Sequence, residues 1–437
     1  MNYVSSIISL VIGISLLILL VLKSRIHIFP ALIISSALIG LISGLSSSET
    51  VSAITSGFGN TLSSIGIVIG LSVILGKLLE ISGAAERIAD SFIKCVGHGK
   101  ENWALAFTGA IVSISVFSDS GFVILIYLVK SISKKSKLTF LTLSMSLAAG
   151  LIATHHMVPP TPGPLGAAEI LKVDMGLMIL YGLIISIPVL IATVLYASYI
   201  GKKMDISIRN DYGQEDMERA KPGILISLLP ILIPIILIIS KTTLQIFNVP
   251  EIITEIFDFI GNPVFAVLIG VLISVFSLTK NFNRSEVIKQ AEKSMSYAGV
   301  IILITGAGGG LGNVLRVTGI GSQIAEMSVS LSIPAIILPL FISTLVRFAQ
   351  GSGTVAMITS ASIIAPMMSQ LQINPIAAAL ACCIGSIFFS YFNDSFFWVF
   401  TKFTGLDIKE GIRAWSITTT IGWAVGFISL LILNLFI

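Results

Sequence analysis

Charge is scarce in this chain: of 437 residues, 11% are Asp, Glu, Lys or Arg and 55% are hydrophobic. That balance excludes an ordinary water-soluble domain and points to a polytopic membrane protein embedded in a lipid bilayer. The net charge is only +4 and the basic residues are scattered through connecting loops, so nucleic acid is excluded as a partner. Cysteine is scarce as well. Cys95, Cys382 and Cys383 lack metal-ligand spacing and read as small apolar packing residues, with no redox role, metal or other cofactor implied. The first apolar run, from Tyr3 to Leu22, lacks a basic leading region and is followed by Lys23 and Arg25, not by a small-residue cleavage site. It reads as a retained first helix.

What the chain does have is apolar runs close to the roughly 20 residues that cross a bilayer core. Spans are expected near 3–22, 28–45, 57–76, 138–158, 174–200, 223–240, 262–279, 295–315, 374–400 and 415–436. Residues 103–133 and 334–369 differ, each being two short apolar pieces joined by a polar tip. Both are expected to be re-entrant helical hairpins. With both termini outside, the loops on the inner side hold about 22 of the 26 Lys and Arg residues, leaving Lys172, Lys241, Arg316 and Arg347 elsewhere. Counting the hairpins as full crossings would reverse that bias over 138–333.

An internal repeat aligns at an offset of about 236 residues. Gly76–Gly83 (GKLLEISG) matches Gly312–Gly319 (GNVLRVTG), Ile88-Ala89 matches Ile324-Ala325, and Ala149-Gly150 matches Ile384-Gly385. The expected organisation is a first repeat over 1–200, a cytoplasmic linker over 201–222 and a second, inverted repeat over 223–437. Each repeat would hold five spans and one hairpin, with the substrate site at the repeat interface near the midplane. The fold class is therefore an all-α inverted-repeat transporter with two hairpins and two broken transmembrane helices.

The first broken helix is the stretch from Leu147 to Glu169, LAAGLIATHHMVPPTPGPLGAAE. Its prolines and paired histidines could not face lipid, because backbone groups left unsatisfied in hydrocarbon cost several kcal/mol each. It must line a cavity. Its register mate is Ser390–Ser395, which carries Asn393 and Asp394. The first hairpin tip offers Ser118, Asp119, Ser120 and Gly121, and a carboxylate at membrane depth is a functional candidate by default. The second tip reads Arg347–Val355, RFAQGSGTV, where Gly351 and Gly353 allow close backbone approach and Ser352 or Thr354 would open a helix whose free N–H groups suit an anion. Arg347 either meets a substrate carboxylate bidentately or neutralises Asp394. Histidine changes charge near neutral pH and burial favours the neutral carboxyl, so Asp119, His155, His156, Glu169 and Asp394 are all candidate proton carriers. The His pair has no metal-ligand spacing. Gly306–Gly312 sits inside an apolar span with no preceding strand and is read as close helix packing, not a nucleotide loop. Trp103, Trp398 and Trp415 fall where interfacial anchors would.

Five stretches together resemble the gluconate:proton symporter family of bacterial permeases, within the ion transporter superfamily. They are FSDSGFVIL from Phe117, THHMVPPTPGPLGAAEIL from Thr154, GAGGGLGNVL from Gly306, RFAQGSGTVAMITSASIIAP from Arg347 and YFNDSFFWVF from Tyr391. The resemblance implies no enzyme but a symporter taking up gluconate or a related small hydroxylated monocarboxylate with protons across the bacterial inner membrane. Some relatives carry D-serine, and a homodimer is the family-level expectation. On this reading the substrate carboxylate meets Arg347, Ser352, Thr354 and the backbone at Gly121, Gly351 and Gly353. Its hydroxyls meet Ser118, Ser120, Thr161, Asn393 and Ser395. The rivals are a sodium-coupled carrier of the same architecture and, of another class, a membrane-embedded hydrolase using Asp119 and Asp394 or the His pair.

Overall fold

The computed structural model describes residues 3–97, 99–134, 136–204, 221–244, 250–280, 282–320, 334–391 and 393–437. Among these residues every regular element is helical. In chain order they are α1 (Tyr3–Leu22), α2 (Ile28–Ile42), α3 (Ser47–Ile81), α4 (Ala84–Val96), α5 (Glu101–Val112), α6 (Ser118–Ser133), α7 (Phe140–Met157), α8 (Pro162–Ile170) and α9 (Met175–Lys203). There follow α10 (Ile224–Leu244), α11 (Glu251–Ile260), α12 (Pro263–Ile273), α13 (Arg284–Val317), α14 (Ile337–Gln350), α15 (Gly353–Ile364), α16 (Pro375–Gly385), α17 (Ser395–Thr404) and α18 (Ile417–Leu433). Most of the expected linker, 205–220, and Ile324-Ala325 of the repeat lie outside the described residues.

Six helical stretches are long and apolar enough to cross a membrane, or up to eight if each of two bent pairs counts as one span. The bends are 49° between Ser47–Ser63 and Gly66–Ile81, and 66° between Glu251–Ile260 and Pro263–Leu278. The ten expected spans therefore include pieces that are too short alone. The span expected over 28–45 is helical only to Ile42, because a capping box restarts the chain: Ser46 Oγ accepts from Glu49 N at 3.2 Å and Glu49 Oε2 accepts from Ser46 N at 2.8 Å. Likewise the loop expected over 77–102 contains α4, which buries Ala84, Ala85, Ile88 and Ala89 on one face. The span expected over 374–400 is helical as α16 and α17, with residues 386–391, 393 and 394 between them outside any helix.

Small residues decide how closely these helices approach. The glycine run of α13 packs on α3 as expected. A Cβ on Gly309 would meet the Gly57 carbonyl oxygen at 2.7 Å, and one on Gly306 would meet the Phe58 ring at 2.5 Å. On its other face, Gly308 and Gly312 press on α15, where a Cβ would find Ser362 Oγ at 3.1 Å and the Ser362 carbonyl oxygen at 2.6 Å. α7 is buried along its whole length, as are nearly all of α15 and α16, while α9, α10 and α18 present apolar side chains outward. The polar breaks thus sit inside a protein jacket, where backbone without helical partners is tolerated. Two side chains differ from expectation: Cys95 is exposed, and Trp415 is 1% exposed and so anchors nothing at an interface.

Candidate functional site

A cavity of about 350 Å³ lies where both hairpin tips and both helix breaks meet. It is at the lower end of the ~300–1,000 Å³ typical of small-ligand sites. Three helix N-termini open on it: α6 at Ser118 and Asp119, α15 at Gly353 and Thr354, and α17 at Ser395. Their unpaired N–H groups and dipoles favour negative charge there. The apolar wall comes from Phe117, Ile152, Ile358 and, on α13, Val300, Ile301 and Ile304.

Arg347, in the last turn of α14, and Asp394 are both buried and form an ion pair, Nη2 to Oδ2, at 2.5 Å. Of the two readings open for Arg347, the structure shows this neutralising contact. Asp394 is fully engaged besides. Its Oδ2 also accepts from Ser390 Oγ, and its Oδ1 accepts from Phe396 N at 3.1 Å, capping α17. Ser390 is held in turn by Trp415 Nε1, which donates to its Oγ at 2.9 Å, and by Ser416 Oγ, which donates to its carbonyl at 2.5 Å. Trp415 thus serves the site from behind. No spacing rule marks such a role, and the indole looked like an anchor only because it lies near a span's end.

Gly351 ends α14 with φ +87°, and a side chain there would collide with Asn393, whose Cγ would be 2.9 Å away. Asn393 Nδ2 donates to Phe348 O at 3.0 Å and Ala349 O at 3.4 Å, satisfying carbonyls at the end of α14. Its Oδ1 is buried with no partner among the described residues, as are Arg347 Nε and His155 Nδ1. Buried polar atoms are normally paired, and all three of these unpaired atoms belong to residues that line the one cavity.

His156 Nδ1 lies 2.8 Å from Ser386 Oγ, and that hydroxyl spends its one proton on Cys383 O at 2.6 Å. The imidazole must therefore donate from Nδ1, leaving Nε2 as its acceptor. Its ring occupies the room a side chain at residue 353 would need, so a glycine opens α15. His155 packs between Phe117 and His156, with ring centroids 5.6 and 5.7 Å away.

Asp119 accepts one hydrogen bond, from Ser395 Oγ at 2.9 Å. Four expected site residues lie elsewhere. Ser120 faces a neighbouring cavity with Lys77 and Glu80, and Gly121 packs against Leu151. Thr161 is buried in a small crevice and donates to Val158 O at 2.6 Å. Glu169 lines a separate cavity at the far end of α8.

The model of the GntP family permease matches residues 5–436. The chain belongs to this permease family. It is 46% identical to an uncharacterized permease of Haemophilus influenzae, over 98% of this chain and 92% of that protein. It is 33% identical to the high-affinity gluconate transporter of Escherichia coli K12, over 98% of both chains. Among solved structures, the Alcanivorax borkumensis YdaH transporter superposes with a TM-score of 0.63, covering 93% of this chain and 98% of that one at 16% identity. That last likeness shows a shared fold. The chain is thus a multi-pass membrane permease and not an enzyme.

Proposed function

We propose that this permease carries gluconate or a closely related hydroxylated monocarboxylate together with a proton, and that Asp119 bears the proton. The family and the gluconate transporter relative support the substrate class. The observation that carries the coupling is the pairing of Arg347 with Asp394. With that pair neutral, the formal charge of the three groups is the charge of Asp119. An ionised Asp119 would repel an entering carboxylate. Two like charges 4 Å apart cost about 4 kcal/mol at an effective dielectric of 20, which is roughly a thousandfold in affinity. Protonating Asp119 removes that term, so monoanion and proton enter together.

In this reading the carboxylate meets the N–H groups at the start of α15 and α6, with the Arg347 guanidinium beside them. The substrate hydroxyls meet the side chains of Asn393, His155 and Ser118. One proton with one monoanion moves no net charge, and each unit of pH gradient supplies about 1.4 kcal/mol. The inverted repeat of 1–200 and 223–437, with its site between the halves, belongs to the same proposal.

Uptake into proteoliposomes under an imposed pH gradient tests it, with gluconate, D-serine, glycerate and fructuronate in competition. Gluconate accumulation that collapses with the gradient and needs no sodium is the expected result. Accumulation that requires sodium at fixed pH would overturn proton coupling, and no accumulation of any of these acids would overturn the substrate class.

A further inference from the structure

The separate cavity that holds Glu169, about 470 Å³, is lined by two cations, Lys172 and Arg316. Among the described residues neither forms an ion pair, whereas Arg347 in the central cavity does. Arg316 is exposed but its side chain is held in place. Its Nε and Nη2 both donate to Asn313 Oδ1, at 3.1 and 2.7 Å, and Asn313 Nδ2 is fixed to Ala53 O of α3 at 2.8 Å. The fork is thus pre-oriented with further N–H donors to spare. Lys172 follows the end of α8 with φ +55°, a left-handed position usually given to glycine. Lys172 is exposed there. With Glu169 ionised the cavity still carries one net positive charge, and Asn60 and Thr61 add polar groups along its wall.

The cavity is in line with the central one. Along α13, Lys293, Val300 and Ile301 face the cavity beside Ser120, Val300 to Ile304 the central one, and Gly309 to Arg316 this one. From Lys293 to Arg316 the helix rises about 35 Å, roughly one bilayer core. Between the central and far cavities Gly308 and Gly312 of α13 pack on Ile358 and Ser362 of α15.

We propose that the Arg316–Lys172 cavity is a second, rim binding site for the substrate carboxylate, occupied on the way to or from the central site. The identity of its ligand as a hydroxy acid rests on the function proposed above; its preference for an anion does not. A cation-lined mouth raises the local concentration of an anion and speeds its capture.

The test uses the full-length, detergent-solubilised protein carrying Cys95→Ser and Ser369→Cys, since Ser369 lines this cavity and Cys382 and Cys383 are buried. An anionic sulfonate methanethiosulfonate should modify residue 369 about tenfold faster than a cationic ammonium one. Adding Arg316→Gln with Lys172→Gln should abolish that preference, and gluconate should slow the labelling only when Arg316 and Lys172 are present. In proteoliposomes the same two substitutions should raise KM for gluconate several-fold with Vmax kept. Equal labelling by the two reagents, or a preference that survives both substitutions, overturns the site. Gluconate transport without any protection of residue 369 overturns it as a substrate site. A protein that keeps the charge preference but takes up no gluconate refutes the substrate reading and upholds the rim as an anion site.

Discussion

Ser395 Oγ donates to Asp119 Oδ2 at 2.9 Å, joining the tip of the first hairpin to the start of α17 across 276 residues of sequence. The contact leaves most of the lone pairs of Asp119 free, whereas Asp394 is committed to Arg347, Ser390 and the N-terminus of α17. Of the two carboxylates at the cavity, Asp119 is the one able to change protonation without dismantling its surroundings.

Asp119→Asn should therefore abolish accumulation driven by a pH gradient while preserving folding and exchange of internal for external substrate. Uptake and counterflow in proteoliposomes, with thermal unfolding as the folding control, check this. Wild-type accumulation would remove Asp119 from the proton path.

Arg347 and Asp394 should behave as a unit. Removing one partner strands a buried charge, at a cost of ~3–5 kcal/mol. Arg347→Met and Asp394→Asn are each expected to lower thermal stability more than the double variant does. A double-mutant cycle showing additive losses would contradict the pairing.

Gly353→Ala should displace the His156 ring, because the new methyl would lie on it. Gluconate transport is expected to fall by at least tenfold, with expression and unfolding temperature near those of the parent. Ser386→Ala removes the partner of His156 Nδ1 and should weaken substrate binding, read as a rise in KM, with a smaller effect on stability.

Gly309→Val should destabilise the whole bundle through the α3–α13 contact. Overpacking of this kind costs ~1–3 kcal/mol. Its unfolding temperature in detergent should drop, and a variant as stable as the parent would mean that the two helices do not meet there.

The helix breaks and tips were legible because proline, glycine and charge stand out in apolar surroundings; the alternative partner for Arg347, Asp394, was legible for the same reason. Misplacements came from helix geometry. Ser118 and Asp119 reach the cavity, but Ser120 is rotated about 200° from Ser118 on the same helix and faces the next cavity. Glu169 is eight residues beyond Thr161, about 12 Å along α8, which puts its carboxylate at the rim. Ile301 and Ile304 were invisible, since an apolar residue lining a cavity reads like one facing lipid. Ser386 and Trp415 act through single hydrogen bonds that only the packed structure brings together.

Asn393 closes the end of α14, Gly351 rests on Asn393, and Asp394 fastens Arg347 while starting α17. Residues 347–353 and 390–395 are thus riveted together at several points, and neither strip can swing open as an independent flap without breaking a buried ion pair. A motion that keeps this pair intact carries the two strips as one cassette. The Asp119–Ser395 bond then lies on the cassette's seam with the first hairpin, which is where the function proposed above would put the proton.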